Sequence, residues 1–134
     1  MMFKEIRKTT VDKLKTTNVP VHDSKVTPNF LTSLPCICVY TANFNGTGQL
    51  VRPTFDWELE LQIDVLVSAV ETTYADQAED LVKTVIDLLM SDSEWVDQFG
   101  DIKSVSCSYN YFNEGQKPVV TAEIRITASK FGAF

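Results

Sequence analysis

The stretch Phe55-Asp56-Trp57-Glu58-Leu59-Glu60-Leu61-Gln62-Ile63-Asp64-Val65-Leu66-Val67 alternates apolar and polar side chains almost without a break. Successive side chains of a strand point to opposite faces, so this period of two gathers Phe55, Trp57, Leu59, Leu61, Ile63, Val65 and Val67 on one side. On a helix the same residues would scatter around the circumference. The stretch reads as one long strand with a buried face. Asp56, Glu58, Glu60, Gln62 and Asp64 share the opposite face.

Upstream, Leu34 to Tyr40 is an apolar run opened by Pro35, a position that strands tolerate. Ile37 and Val39 fall on one face and Cys36, Cys38 and Tyr40 on the other, the pattern of a central strand. Residues 41–53 contain Gly46, Gly48 and Pro53 and read as a loop, a flexible hairpin arm between the two strands. The glycines lack the spacing of a phosphate-binding fingerprint. Earlier still, Phe3, Ile6, Thr10, Val11 and Leu14 recur at helical spacing and predict an amphipathic helix over about residues 2–16. Asn18 and Pro20 end it. Residues 18–33 read as a long polar connection with room for one short strand.

Downstream, Ala78, Leu81, Val82, Val85, Ile86 and Leu89 supply the stripe of a helix over about residues 73–90, capped by Thr73 with Asp76 answering. Ser91 with Glu94 offers a second capping box, for a short helix through Trp95 and Phe99 that ends at Gly100. Val105, Cys107, Tyr109 and Tyr111 alternate with polar residues, the loop 113–118 turns the chain, and Val120, Ala122, Ile124, Ile126 and Ala128 alternate again. The expected fold is α+β, in the order helix-strand-strand-helix-strand-strand. It has a mainly antiparallel or mixed sheet of at least four strands and the helices on one face. The chain, 1–134, reads as a single domain carrying the arm.

Composition bounds the function. Hydrophobic residues make up 44% and charged residues 22%, which suits a folded domain with one core. A net charge of −6 argues against nucleic-acid readout, which needs a basic patch against phosphates. The basic residues of the first helix, Lys4, Arg7, Lys8, Lys13 and Lys15, sit beside Glu5 and Asp12 and read as a solvated face. No apolar run approaches the roughly 20 residues of a membrane span, and the N-terminus lacks a signal-like stretch, so a cytoplasmic protein with no membrane partner is expected. Cys36, Cys38 and Cys107 then read as reduced, small apolar side chains.

Catalytic equipment is sparse. His22 adjoins Asp23, but neighbours on an extended chain point to opposite sides, so it reads as an exposed loop histidine. Asp56, Glu58, Glu60 and Asp64 lie two or more residues apart on one strand face, with neighbours about 6.5–7 Å apart. That spacing leaves three readings open: a solvated or interface face, a weak divalent-ion site, or an acid pair. A uniform row suits the first, since an acid pair needs two environments that separate their pKa values. The expectation is a non-enzyme with no cofactor and no metal. The second sheet face, with its mixture of Cys36, Cys38, Tyr40, acids and serines, suits a protein–protein contact. The arm offers Phe44, Asn45, Leu50 and Arg52 as contact residues.

The run Leu34-Pro35-Cys36-Ile37-Cys38-Val39-Tyr40, the glycine-bearing arm, and the tryptophan-led strand from Phe55 to Val65 resemble, in order and spacing, the bacteriophage tail terminator family of the lambda minor tail protein U type. The resemblance continues through the helix into Met90-Ser91-Asp92 and to Tyr109-Asn110-Tyr111 before the last hairpin. It implies a structural virion protein, a homohexameric ring that ends tail tube polymerisation and then docks the filled head. The implied partners are other copies of the chain, the tail tube protein, and a head-completion protein. DNA would cross the lumen without being read. The implied location is the host bacterial cytoplasm during assembly and then the virion tail. Six copies at −6 each make −36 for such a ring, and a negative lumen lined by Asp56, Glu58 or Glu60 would repel DNA within the Debye length of about 8 Å. The arm and the aromatic end Phe131–Phe134 depart from the lambda pattern, so no contact residue carries over there. Another phage neck or head–tail connector protein is the nearest alternative. A cytoplasmic ligand-binding regulatory domain is the alternative from a different class.

Overall fold

The computed structural model of the chain describes residues 2–24, 34–48, 54–70, 73–114 and 117–133. The element order is α1 (Met2–Leu14), a 3-10 turn (Lys15–Thr17), β1 (Val21–His22), β2 (Cys36–Thr47), β3 (Thr54–Ser68), α2 (Tyr74–Met90), α3 (Ser93–Val96), β4 (Asp101–Glu114) and β5 (Lys117–Ala133). The fold class is α+β, with one five-stranded mixed sheet in the order β1-β2-β3-β5-β4. β1 runs parallel to β2, and the other pairings are antiparallel.

β3 is the centre. It pairs with β2 from Cys36↔Leu66 to Thr47↔Asp56 and with β5 from Thr54↔Ala133 to Ser68↔Val119. Its alternation does what the period of two requires: Leu59, Leu61, Ile63, Val65 and Val67 are all buried on the helix side. Each such side chain stabilises the fold by about 1.5–3 kcal/mol relative to leaving it in water. Phe3, Ile6, Val11 and Leu14 of α1, Ala78, Val82, Val85 and Leu89 of α2, and Trp95 belong to the same core, so the helices share one face of the sheet.

Several expectations change. Residues 41–47 are paired strand rather than loop, with a bulge between Thr41 and Asn43 that re-aims Phe44 toward the core face. Gly46 there answers a close approach, since a Cβ would lie 2.6 Å from the Trp57 ring. The rest of the arm, residues 49–53, lies outside the described residues, as do Leu50 and Arg52. β2 lies between β1 and β3, as a central strand should, although β1 covers its outer side only at Ile37 and Cys38 among the described residues. Its second apolar face closes a small cluster of Cys36, Cys38, Leu66 and Val119. The short helix is capped by Asp92, whose side chain accepts from the Trp95 N–H at 3.1 Å, while Ser91 bonds back to the Leu88 carbonyl. Thr73 does hold the N-cap position of α2, but without a side-chain cap bond.

The basic residues of α1 are fasteners more than a bare solvated face. Lys8 bonds Asp23, and Arg7 Nε lies 2.8 Å from the same carboxylate, a contact of charge rather than an aligned hydrogen bond. Lys13 reaches Asp92 at 2.9 Å, tying α1 to the start of α3. His22 is half-buried on β1, in register with Cys38, and Asp23 turns to these cations.

Candidate functional site

Three surfaces hold the residues singled out above. The first is the sheet face away from the helices, where the four carboxylates meet different surroundings instead of forming one solvated row. Asp56 and Glu58 are exposed, Glu60 is half-buried and Asp64 is buried. Their neighbours decide this: β5 sets Arg125 opposite Gln62 and Glu123 opposite Asp64, inside a sheet, where water is displaced.

A polar chain crosses this face. Tyr40 donates its hydroxyl to Asp64 Oδ2 at 2.9 Å, and Gln62 Nε2 donates to Asp64 Oδ1 at 3.0 Å. Arg125 Nε donates to Gln62 Oε1 at 3.3 Å and lies 3.4 Å from Glu60 Oε1. Burial, then the Asp64 charge, pushes the Tyr40 hydroxyl well above the ordinary phenol range, so it stays a donor. Further along, Lys103 bonds Glu58 at 3.0 Å, and that bond raises the lysine's affinity for its proton. Each of Glu58, Glu60 and Asp64 therefore has a partner that fixes it in place. Among the described residues no three His, Cys, Asp or Glu side chains cluster closely enough to hold a metal ion.

The apolar strip expected to face a partner is already inside the subunit. Cys36 and Cys38 are buried with Leu66 and Val119. The Cys38 thiol beside it, then burial, pushes the Cys36 thiol up, so it is poorly nucleophilic.

The second surface is the base of the β2–β3 hairpin. Phe44 lies 4.8 Å from Phe3 in a tilted pair and meets Trp57 edge-on at 5.8 Å, and it is 43% exposed. Trp57 donates its indole N–H to the Gly132 carbonyl at 3.1 Å. Asn45 is exposed near Glu58 and Lys103. Of the four arm residues named from sequence, Phe44 and Asn45 are thus described, one propped against the core and one in solvent.

The third surface was missed as a contact surface. β4 closes the sheet, and among the described residues no strand pairs with its outer edge. α2 packs on β3 and β5, while Cys107 tucks against the core. Beyond that cover, Val105, Tyr109 and Tyr111 remain 38%, 47% and 57% exposed on the helix side of β4, more than a core-facing strand position should be. With Tyr74, Ala75, Ala78 and Glu79 of α2, the two tyrosines line an open groove of about 240 Å³. Tyr74 and Tyr111 face each other at 6.5 Å. The signal was present in the sequence: the β4 stripe is Val-Cys-Tyr-Tyr, where the true core strands carry aliphatic residues. Tyrosine offers a large apolar ring and a polar tip, which suits a surface that is wet in one state and covered in another.

No helix among the described residues is long and apolar enough to cross a membrane. No protein-family model matches the chain, and no curated protein resembles it closely enough to count as a match.

Proposed function

We propose that the chain is a ring-forming structural subunit of a phage tail, a tail terminator of the lambda minor tail protein U type. The observation that carries the self-assembling part of this reading is the tyrosine-lined groove beside the outer edge of β4, with which no strand pairs among the described residues. A long strand edge with exposed tyrosines is a liability for a protein that works alone and an asset for one that packs against neighbours. The terminator identity, the hexamer and the partners rest on the resemblance in residues 34–65 and 90–111.

In this reading six copies close a ring on the finished tail tube, halt its growth, and present the surface that a head-completion protein docks on. The sheet face bearing Asp56, Glu58 and Glu60 lines or borders the lumen and repels passing DNA. The ring is assembled in the bacterial cytoplasm and stays in the virion tail.

The reading of a small-molecule regulatory domain is less favoured by the same groove, which falls below the roughly 300–1,000 Å³ of ordinary ligand pockets. Native mass spectrometry of the chain, with microscopy of tail tubes grown with and without it, tests the proposal. Hexamers and tubes of uniform length are expected with the protein present. Tubes that overrun their length regardless of it would overturn the terminator role.

A further inference from the structure

We infer that the outer edge of β4 pairs antiparallel with the outer edge of β2 of a second copy, so that one sheet runs on from subunit to subunit. The inference rests on the ring reading and names the strands that meet.

Charge is distributed over the sheet against the usual rule. A sheet that works alone keeps charges on its edge strands, where they deter pairing with other chains. Here the inner strands carry them, with Asp56, Glu58, Glu60 and Asp64 on β3 and Glu123 and Arg125 on β5. β2 has no charged residue and no proline from Cys36 to Thr47, and β4 has neither over residues 104–113. Among the described residues β1 covers β2 only at Ile37 and Cys38, and no strand pairs with the outer side of β4. In a chain of net charge −6, two long uncharged edges are where copies meet with least repulsion.

Strand direction fits the same contact. β2, β3, β5 and β4 alternate in direction, so β4 runs opposite to β2. A ring whose axis lies along the strands keeps each strand's direction from copy to copy, and β4 therefore meets the next β2 antiparallel. A β4–β4 pair needs a two-fold axis instead and closes at a dimer. Within one copy residues 104–110 lie level with residues 43–36. Closing a sheet staggers its strands, and a shift of a few residues carries this run past β1 onto residues 39–47 of the next copy. On the helix side, the half-exposed Phe44 ring then comes beside the stripe of Val105 and Tyr109, and the added strand covers the tyrosine-lined groove.

Backbone pairing leaves a mark that side-chain packing does not. Amide hydrogen exchange of the wild-type chain, measured above and below its assembly concentration, should slow at both residues 39–47 and 104–113. The amides that gain a partner should slow by about tenfold or more. Phe44→Glu and Tyr109→Glu each place a charge on one edge and leave the other intact. Alone, each should stay a monomer. Mixed in equal amounts, they should form one-to-one dimers and nothing larger, which native mass spectrometry reads from their masses. Ala42→Glu, at the exposed bulge residue left out of the β2–β3 register, replaces Phe44→Glu if that variant melts early. Protection gained at β4 without β2, or a Phe44→Glu chain that dimerises by itself, overturns the inference in favour of a two-fold β4 contact. A wild-type ring that gains no protection at either edge overturns this contact alone. A wild-type chain that stays monomeric or stops at a dimer overturns both the contact and the ring reading.

Discussion

Trp95 donates its indole N–H to Thr10 Oγ1 at 2.8 Å across 85 residues of sequence, and both side chains are buried. Thr10 donates its own hydroxyl to the Ile6 carbonyl at 2.7 Å, so the threonine is an acceptor for one element and a donor to another. A threonine on the apolar stripe of α1 is explained by this bond, which joins the first helix to the short third one. Thr10→Val keeps the shape but strands a buried N–H, at a cost of about 1–3 kcal/mol. Trp95→Phe should cost at least as much, because it also opens space in the core. Urea titration of both single variants and the double one checks this. The double variant should lose less than the sum of the two, and strict additivity would mean the bond contributes nothing.

Gly46 permits the Trp57 ring to lie against the backbone of β2. Gly46→Ala places a methyl where the ring is, so either the ring or the strand must shift. Overpacking of this kind costs about 1–3 kcal/mol. The displaced indole should also leave the Gly132 carbonyl and the faces of Phe3 and Phe44. A red-shifted fluorescence component from Trp57, isolated in a Trp95→Phe background, is the expected signature. An unchanged spectrum would show that the hairpin base has slack.

Acid should loosen the grip of α1 on the β1 end. Burial works against the charge on Asp23, but Lys8 and Arg7 outweigh it and hold the carboxyl below its ordinary value of 3.8. A carboxyl whose folded pKa is depressed adds stability that is complete above the unfolded value and is lost as pH falls below it, through the folded value. Melting curves of wild type should therefore decline more steeply below pH 3.8 than those of Asp23→Asn. Above that pH the variant should be less stable than wild type by a constant amount. Parallel declines in the two proteins would remove Asp23 from the account.

How much of this was legible beforehand depends on the range of the interaction. The β3 strand and both long helices follow from periodicity, because burial of one face acts on every residue of the element and repeats its signal. The ring-facing glycine at 46 misled for a local reason: glycine marks a turn or a close approach equally well, and the approaching group is eleven residues away in Trp57. The carboxylates looked alike in sequence because their differences come from β5, where Arg125 and Glu123 are set opposite Gln62 and Asp64. The exposed face of β4 was hidden in the same way. Alternation shows that Val105, Cys107, Tyr109 and Tyr111 share a side, but the reach of α2 over the sheet decides how much of that side is covered.

Asp92 caps α3 through the Trp95 N–H and also binds Lys13. Those two contacts, the Lys13 bond first, hold its carboxyl below the ordinary range. They separate by substitution. Asp92→Asn keeps an oxygen for the cap and gives up the charge, whereas Asp92→Ala loses both. The alanine variant should be the less stable of the two in thermal melts, and only wild type should show added stability above the ordinary carboxylate pKa that fades as pH falls through the lowered one. Equal melts for the two variants would assign the whole effect to Lys13.

Tyr109 and Tyr111 separate assembly from folding. Both rings are about half exposed in the subunit, so replacing them with serine removes about half the buried area that two core tyrosines would give up. The same change strips the apolar centre from the groove beside α2. Tyr109→Ser with Tyr111→Ser should lower the melting temperature of the subunit but leave it folded, and abolish the ring, with tail tubes then growing past their proper length. Truncating two central aromatic anchors commonly costs 2 kcal/mol or more apiece at an interface, about thirtyfold each in affinity. Val105→Ser, at the far end of the stripe and the least exposed of the three, should weaken the ring less. A subunit that unfolds on the double substitution would mean that these rings act as core, and a ring that survives it would move the contact away from β4.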